Sequence, residues 1–271
     1  MGNIKIGICE WSLPIDGPNC FDMAKEVGLE GVQIDLGRSK RGFPLSKKIV
    51  QNLYLTVAKK NHLSIPSIAV RELDDIGMLY PIGSIERSIA EKAIMKAIDA
   101  ANSMGIEIVM LPNFDKSDIR TKNDITEASI LFRNACDLAY SKGIIIAVEN
   151  LLSADDTILL FKIVNKPNFK LYFDSQNYYL NKGFDTPELL SNLIHLVCQV
   201  HLKDGKNGCL SGALLGDGDT NFYKTFEILK EYDYSGWVIL ENYYDQEPLS
   251  LHNDNPLELI KKDIFTIKRL I

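Results

Sequence analysis

The chain has 271 residues, 46% of them hydrophobic and 24% charged, with a formal net charge of −6 and a pI near 5.3. That length and apolar content suit one large α/β barrel or two smaller domains. The acidic balance lacks the basic face expected of a nucleic-acid binder, and the longest apolar runs are too short to span a membrane.

The first predicted strand covers 4–9, so no secretory leader is expected there, and Ile6 stands where a myristoylation signal needs Ser or Thr. Further strands are expected at 31–36, 64–70, 106–111, 144–149, 170–174, 197–202 and 237–241. Amphipathic helical stretches alternate with them at 18–28, 46–61, 84–104, 124–142, 155–165, 186–195, 221–232 and 256–270. In 84–104 the apolar residues Ile85, Ile89, Ala93, Ala97 and Ala101 recur at intervals of four, with Glu86, Arg87, Glu91, Lys92 and Lys96 on other faces. Gly28, Gly105 and Gly143 each follow a helical pattern, as a C-cap glycine does. The five cysteines include no C-x-x-C pair, and Cys9, Cys136 and Cys198 lie in apolar runs, so reduced thiols in a cytoplasmic protein are expected.

Strand–helix alternation from end to end predicts an α/β fold, a single (β/α)8 TIM barrel filling 1–271 as one domain. An open doubly wound sheet usually carries a glycine-rich first turn, whereas the first turn here is Glu10-Trp11-Ser12-Leu13-Pro14.

The predicted strands of the second half end in Glu149, Asp174, His201 and Glu241, which barrel geometry places on the rim where active sites sit. Two Glu, one Asp and one His, with no cysteine, suit one divalent metal ion, Mn²⁺, Mg²⁺, Co²⁺ or Zn²⁺. Three converging carboxylates need either a cation or protonation. Such an ion would hold two adjacent oxygens of a hydroxy-ketone or hydroxy-aldehyde and stabilise the enediolate left by loss of the α-proton. Glu149 and Glu241 could then act as an acid/base pair on opposite faces of the carbon. Epimerisation, aldose–ketose isomerisation and dehydration all remain open from that intermediate.

The residues that carry these features resemble the xylose-isomerase-like barrel superfamily, the sugar phosphate isomerases/epimerases. The similar stretches are Gly28-Leu29-Glu30-Gly31-Val32-Gln33, Val148-Glu149-Asn150, Phe173-Asp174, His201-Leu202-Lys203-Asp204, Leu215-Gly216-Asp217-Gly218-Asp219 and Leu240-Glu241. The resemblance implies that Glu149, Asp174, His201 and Glu241 are metal ligands and that Glu149 and Glu241 are the catalytic pair. Lys203 would point the same way as His201 and neutralise an enolate or a substrate carboxylate. A metal-dependent isomerase or epimerase of a small carbohydrate is expected, as a homodimer or homotetramer. A dehydratase or lyase on a keto-sugar or keto-inositol, or a barrel that only binds, are the alternatives. Two departures weigh against a free-ketose 3-epimerase: Asn177 stands where those enzymes often have a histidine, and no arginine lies between Asp204 and Glu241. The superfamily's DNA-cutting zinc enzymes need many histidines, whereas His62, His195 and His252 read as surface or capping groups.

Further expectations concern the rim. Trp11 could wall a sugar ring, Asn177 could bind a sugar hydroxyl, and Arg38 and Arg71 read as surface ion pairs with some capacity for anions. Tyr178, Tyr179, Tyr243 and Tyr244 could shield the site or bury a subunit contact. Gly216 to Asp219 reads as a tight turn into a helix capped by Asp219 or Thr220.

Overall fold

The computed structural model describes residues 2–271. Its strands are β1 (Ile4–Cys9), β2 (Gly31–Asp35), β3 (Ile68–Ala69), β4 (Ile108–Asn113), β5 (Ile145–Asn150), β6 (Phe169–Asp174), β7 (Val197–Leu202) and β8 (Gly236–Leu240). They pair in chain order and close into a barrel. The recorded neighbours are parallel, with Gly7 opposite Gly31 and Ile8 opposite both Val32 and Leu240. Parallel strands buried on both faces need near-continuous apolar sequence, and β1, β4 and β5 supply it.

The helices are α1 (Cys20–Glu26), α2 (Lys48–Asn61), α3 (Glu72–Ile76), α4 (Ile85–Met104), α5 (Lys122–Tyr140), α6 (Ala154–Val164), α7 (Asn177–Lys182), α8 (Thr186–Leu193), α9 (Phe222–Glu231) and α10 (Pro256–Lys268). Among the described residues no helix is long and apolar enough to cross a membrane.

Three local expectations are corrected. The third strand, expected over 64–70, is regular only at Ile68–Ala69. Pro66 has no N–H to give a ladder, yet Ser64 and Ser67 still accept from Val32 and Ile34 through their carbonyls. In α4 the buried face runs through Arg87, Ala90, Ile94, Ala97 and Ala101, leaving Ile85 76% exposed. Arg87 can be buried because its Nη1 donates to Met78 O at 2.9 Å and its Nε to Glu91 at 2.8 Å. The cap expected before α9 is absent: its N-cap is Asn221, in left-handed conformation without a side-chain bond.

The chain gathers into two internally compact units, residues 2–33, Thr56–Ser64 and Phe173–Ile271 in one, Ile34–Leu55 and Ile65–Tyr172 in the other. In the first, Asp204 organises the segment after β7, accepting from Gly205 N (2.8 Å), Gly216 N (3.0 Å), Gly218 N (3.2 Å) and Thr220 Oγ1 (2.8 Å). A Cβ at Gly218 would lie 2.1 Å from Asp204 Oδ1, so this approach requires glycine. Asp263 of α10 accepts from Leu215 N, Asn242 and Tyr244. Tyr178 and Tyr244 are thus core residues, fully buried, rather than shields of the site. In the second unit, α4 begins at Ser84, whose side chain accepts from Arg87 N, and stops at Gly105 with φ 69°.

Candidate metal centre

Asp174 ends β6. Its Oδ1 accepts the backbone N–H of Gln176 at 2.8 Å and of Asn177, the first residue of α7. Its Oδ2 is buried and makes no hydrogen bond, although Lys203 Nζ lies 3.1 Å away as an ionic contact. His201 sits in β7 with its ring fully buried. Nε2 lies 2.7 Å from Gln33 Oε1, and Nδ1 lies 3.2 Å from Glu241 Oε2.

Glu241 follows β8 directly and is anchored by its N–H on Leu202 O at 2.9 Å. Its Oε1 accepts from Trp11 Nε1 at 3.1 Å, and its Oε2 accepts from Lys203 Nζ. Lys203 is only 3% exposed. Its backbone is locked to Ser175, whose hydroxyl accepts from Lys203 N at 2.9 Å and donates to Lys203 O at 2.6 Å. Glu149, in β5, is 1% exposed. One ligand atom from each of Glu149, Asp174, His201 and Glu241 lies within 4.8 Å of the others.

The four expected ligands are therefore together. The donor set is hard oxygen plus one imidazole, and the buried Asp174 Oδ2 lacks a hydrogen bond, so these residues fit a divalent cation. Lys203 points to the same place, bridging Asp174 and Glu241. Trp11 is half-buried, and its indole meets the His201 ring edge-on at 6.3 Å while its N–H holds Glu241. Asn177 is 6% exposed, with its backbone N–H on Asp174. His62, His195 and His252 are exposed, and the cluster draws on His201.

Sequence reasoning missed Gln33, Cys9 and Ser175 as partners of this centre. Gln33 and Cys9 lie inside apolar strands, and the only signal for Gln33 is a polar residue between Val32 and Ile34.

The loops after β2, β3 and β4 carry a second charged group. Arg38 meets Asp75 at 2.8 Å and Asp35 at 3.6 Å, as an ion-pairing arginine does. Burial pushes the Asp74 carboxyl up to about 8, with Arg71 opposing and the negative charge of Glu149 adding to the rise. Burial also raises Asp35, against Arg71 and Arg38.

The chain as a whole is similar to known proteins. The chain is 27% identical over 227 residues to 2-epi-5-epi-valiolone 7-phosphate 2-epimerase of Actinoplanes sp., a match covering 83% of this chain and 82% of that one. It is 26% identical over 254 residues to L-ribulose-5-phosphate 3-epimerase of Salmonella heidelberg, covering 88% and 87%. In fold it is similar to D-psicose 3-epimerase of Clostridium cellulolyticum H10, solved with D-tagatose, at a TM-score of 0.80 and 13% identity, covering 98% of this chain and 99% of that one. The family model described as xylose isomerase-like TIM barrel matches residues 21–270, and the chain belongs to that family.

Proposed function

We propose that the chain is a divalent-metal-dependent epimerase of a small keto-sugar or its phosphate, working by proton transfer next to a carbonyl, with 1–271 acting as one catalytic domain. The observation that carries this reading is the meeting of Glu149 and Glu241 with Asp174 and His201 in one buried cluster. Both relatives are named as epimerases of phosphates, which favours inversion at carbon over the isomerase and dehydratase outcomes.

Glu149, Asp174, His201 and Glu241 would hold the ion. When bound, it supplies a Lewis acid for two adjacent substrate oxygens and stabilises the enediolate charge. Glu149 and Glu241 come from different strands, so one, as a carboxylate, takes the proton from one face of the carbon and the other, as its carboxylic acid, gives one to the opposite face, the pair exchanging protonation states in each turnover. Asn177 carries an amide, which does not shuttle protons at neutral pH, so both transfers fall to the two glutamates. Trp11 keeps Glu241 oriented through Oε1, and Lys203, held at Oε2, lends positive charge to the developing oxyanion. Trp11 and Asn177 also border the space where a sugar would lie.

The test is turnover of a panel of ketoses and ketose phosphates in D2O by the metal-loaded protein. The expected product is an epimer carrying deuterium at the inverted carbon. A product lighter by one water would replace this reading with a dehydratase, and no exchange into any substrate would refute proton abstraction.

A further inference from the structure

Two successive residues after Asp174 grip the chain beyond β7. Ser175 holds the backbone of Lys203, and Gln176 reaches farther, into the segment 205–211. Gln176 is 1% exposed. Its Nε2 donates to Cys209 O at 3.0 Å, and its Oε1 accepts from Ser211 N at 3.0 Å. A carbonyl only accepts and a backbone N–H only donates, so these partners fix which end of the amide is which. Between the anchors, residues 206–210 are exposed. We propose that Gln176 is a positioning residue that fastens this loop beside Asp174 and makes 206–210 a fixed wall for the substrate. The inference rests on the epimerase reading for what the wall meets, whereas the fastening stands apart from it.

Loops at the C-terminal ends of barrel strands carry the substrate contacts of this architecture. An exposed tip keeps one conformation only where its flanks are held. Gly205 O accepts from Asp219 N at 2.8 Å, and Asn207 N donates to Asp219 Oδ2 at 2.9 Å. Those bonds stay within the segment after β7, whereas Gln176 ties that segment to the end of a different strand. The fit is close, since a Cβ at Gly205 would stand 1.8 Å from Gln176 Nε2. Ser211 has φ 51°, a left-handed conformation that a non-glycine residue keeps when its surroundings enforce it. Its hydroxyl is buried without a hydrogen bond, so the hold on Ser211 comes through its backbone, where Gln176 accepts the N–H.

The backbone and side chain of Gln176 serve different partners. Its backbone N–H donates to Asp174 Oδ1 at 2.8 Å, a bond that survives replacement of the side chain. Deleting the amide therefore frees the loop and leaves Asp174 oriented. Capture of the sugar should suffer and the chemical step should not.

The first measurement needs no variant. Amide exchange resolved by NMR should show the Ser211 N–H protected about 100-fold or more relative to an unstructured chain. Gln176→Met, which fills the volume without donor or acceptor, should lose most of that protection. With whichever ketose or ketose phosphate the metal-loaded protein turns over, it should raise KM about 10-fold at nearly unchanged kcat, and it should bind Zn²⁺ as its parent does. Gly205→Ala, which drives a methyl group against the amide from the other side, should raise KM in the same way, so the split does not depend on one variant. An unprotected Ser211 N–H in the unsubstituted protein would overturn the proposal. So would an unchanged KM in a variant whose Ser211 N–H has become exposed, or a loss of kcat or of Zn²⁺ affinity with KM unaltered. Protein that exchanges no ketose proton would refute the epimerase reading, and Ser211 would then judge the fastening by itself: protection lost in Gln176→Met upholds it, and protection retained refutes it.

Discussion

Around Asp174 and Glu241, crowded carboxylates share a buried lysine as counter-charge; in the loops after β2–β4, burial pushes a carboxyl up until it keeps its proton. Lys203 reaches both Asp174 Oδ2 and Glu241 Oε2 from a site 3% exposed. Asp74 has a buried Oδ1 without a hydrogen bond and is pushed up to about 8 by burial, in spite of Arg71 and Arg38. Its loops line a cavity of about 500 Å³ whose wall includes Arg38, Lys40 and Lys116 as well as Glu72, Asp75 and Asp115. Like charges brought together must find a counter-charge or a proton, and only the first solution would give the readiness to accept a proton from carbon that the proposed epimerase requires.

Removing that readiness should separate the two regions most strongly. Glu149→Gln and Glu241→Gln should each lower kcat by about 10³-fold or more with thermal unfolding little changed. Near-normal turnover in both would refute their roles. Removing the counter-charge comes next. Lys203→Met leaves two buried carboxylates uncompensated and should cost about 3–5 kcal/mol in the metal-free protein. Added Zn²⁺ should recover much of the lost thermal stability; a variant as stable as its parent without metal would deny Lys203 this role. Trp11→Phe keeps a ring but deletes the donor to Glu241 Oε1 and should lower kcat about 10-fold, within the range for a positioning hydrogen bond, with KM little altered. A change in KM alone would make Trp11 a sugar wall and nothing more.

The smallest effect probes the second region. Asp74 has a folded value above its usual one, so its contribution to stability is present at low pH and is lost as pH rises from about 4 through about 8. Asp74→Asn should match the parent near pH 3 and exceed it in Tm at pH 9. A parent that gains stability relative to this variant as pH rises would reverse the assignment. Asp263, raised to about 7 chiefly by burial, contributes with the same sign in both proteins and cancels in the difference.

How much of this was legible in the sequence follows the same division. The ends of β5–β8 could be read because Glu149, Asp174, His201 and Glu241 interrupt or close apolar runs with groups that are costly to bury alone. Barrel closure could be read from the strand–helix alternation. Gln33 and Ser175 could not, because uncharged polar residues within or beside strands carry no pattern that distinguishes a side chain touching the cluster from a satisfied core residue. The helices α3 (Glu72–Ile76) and α7 (Asn177–Lys182) are too short to show a period. Arg87 and Tyr244 broke the rule that polar groups face water because each found a buried acceptor, Met78 O and Asp263.

Glu149, Asp174, His201 and Glu241 are proposed to share one ion. Calorimetric titration of metal-free protein with Zn²⁺, alongside Asp174→Ala, measures it most directly. One ion should bind per chain, and the variant should lose at least about 100-fold in affinity, the upper end of what a supporting residue alone costs. Protein that takes up no ion, or an Asp174→Ala variant that binds as tightly as its parent, would contradict the account.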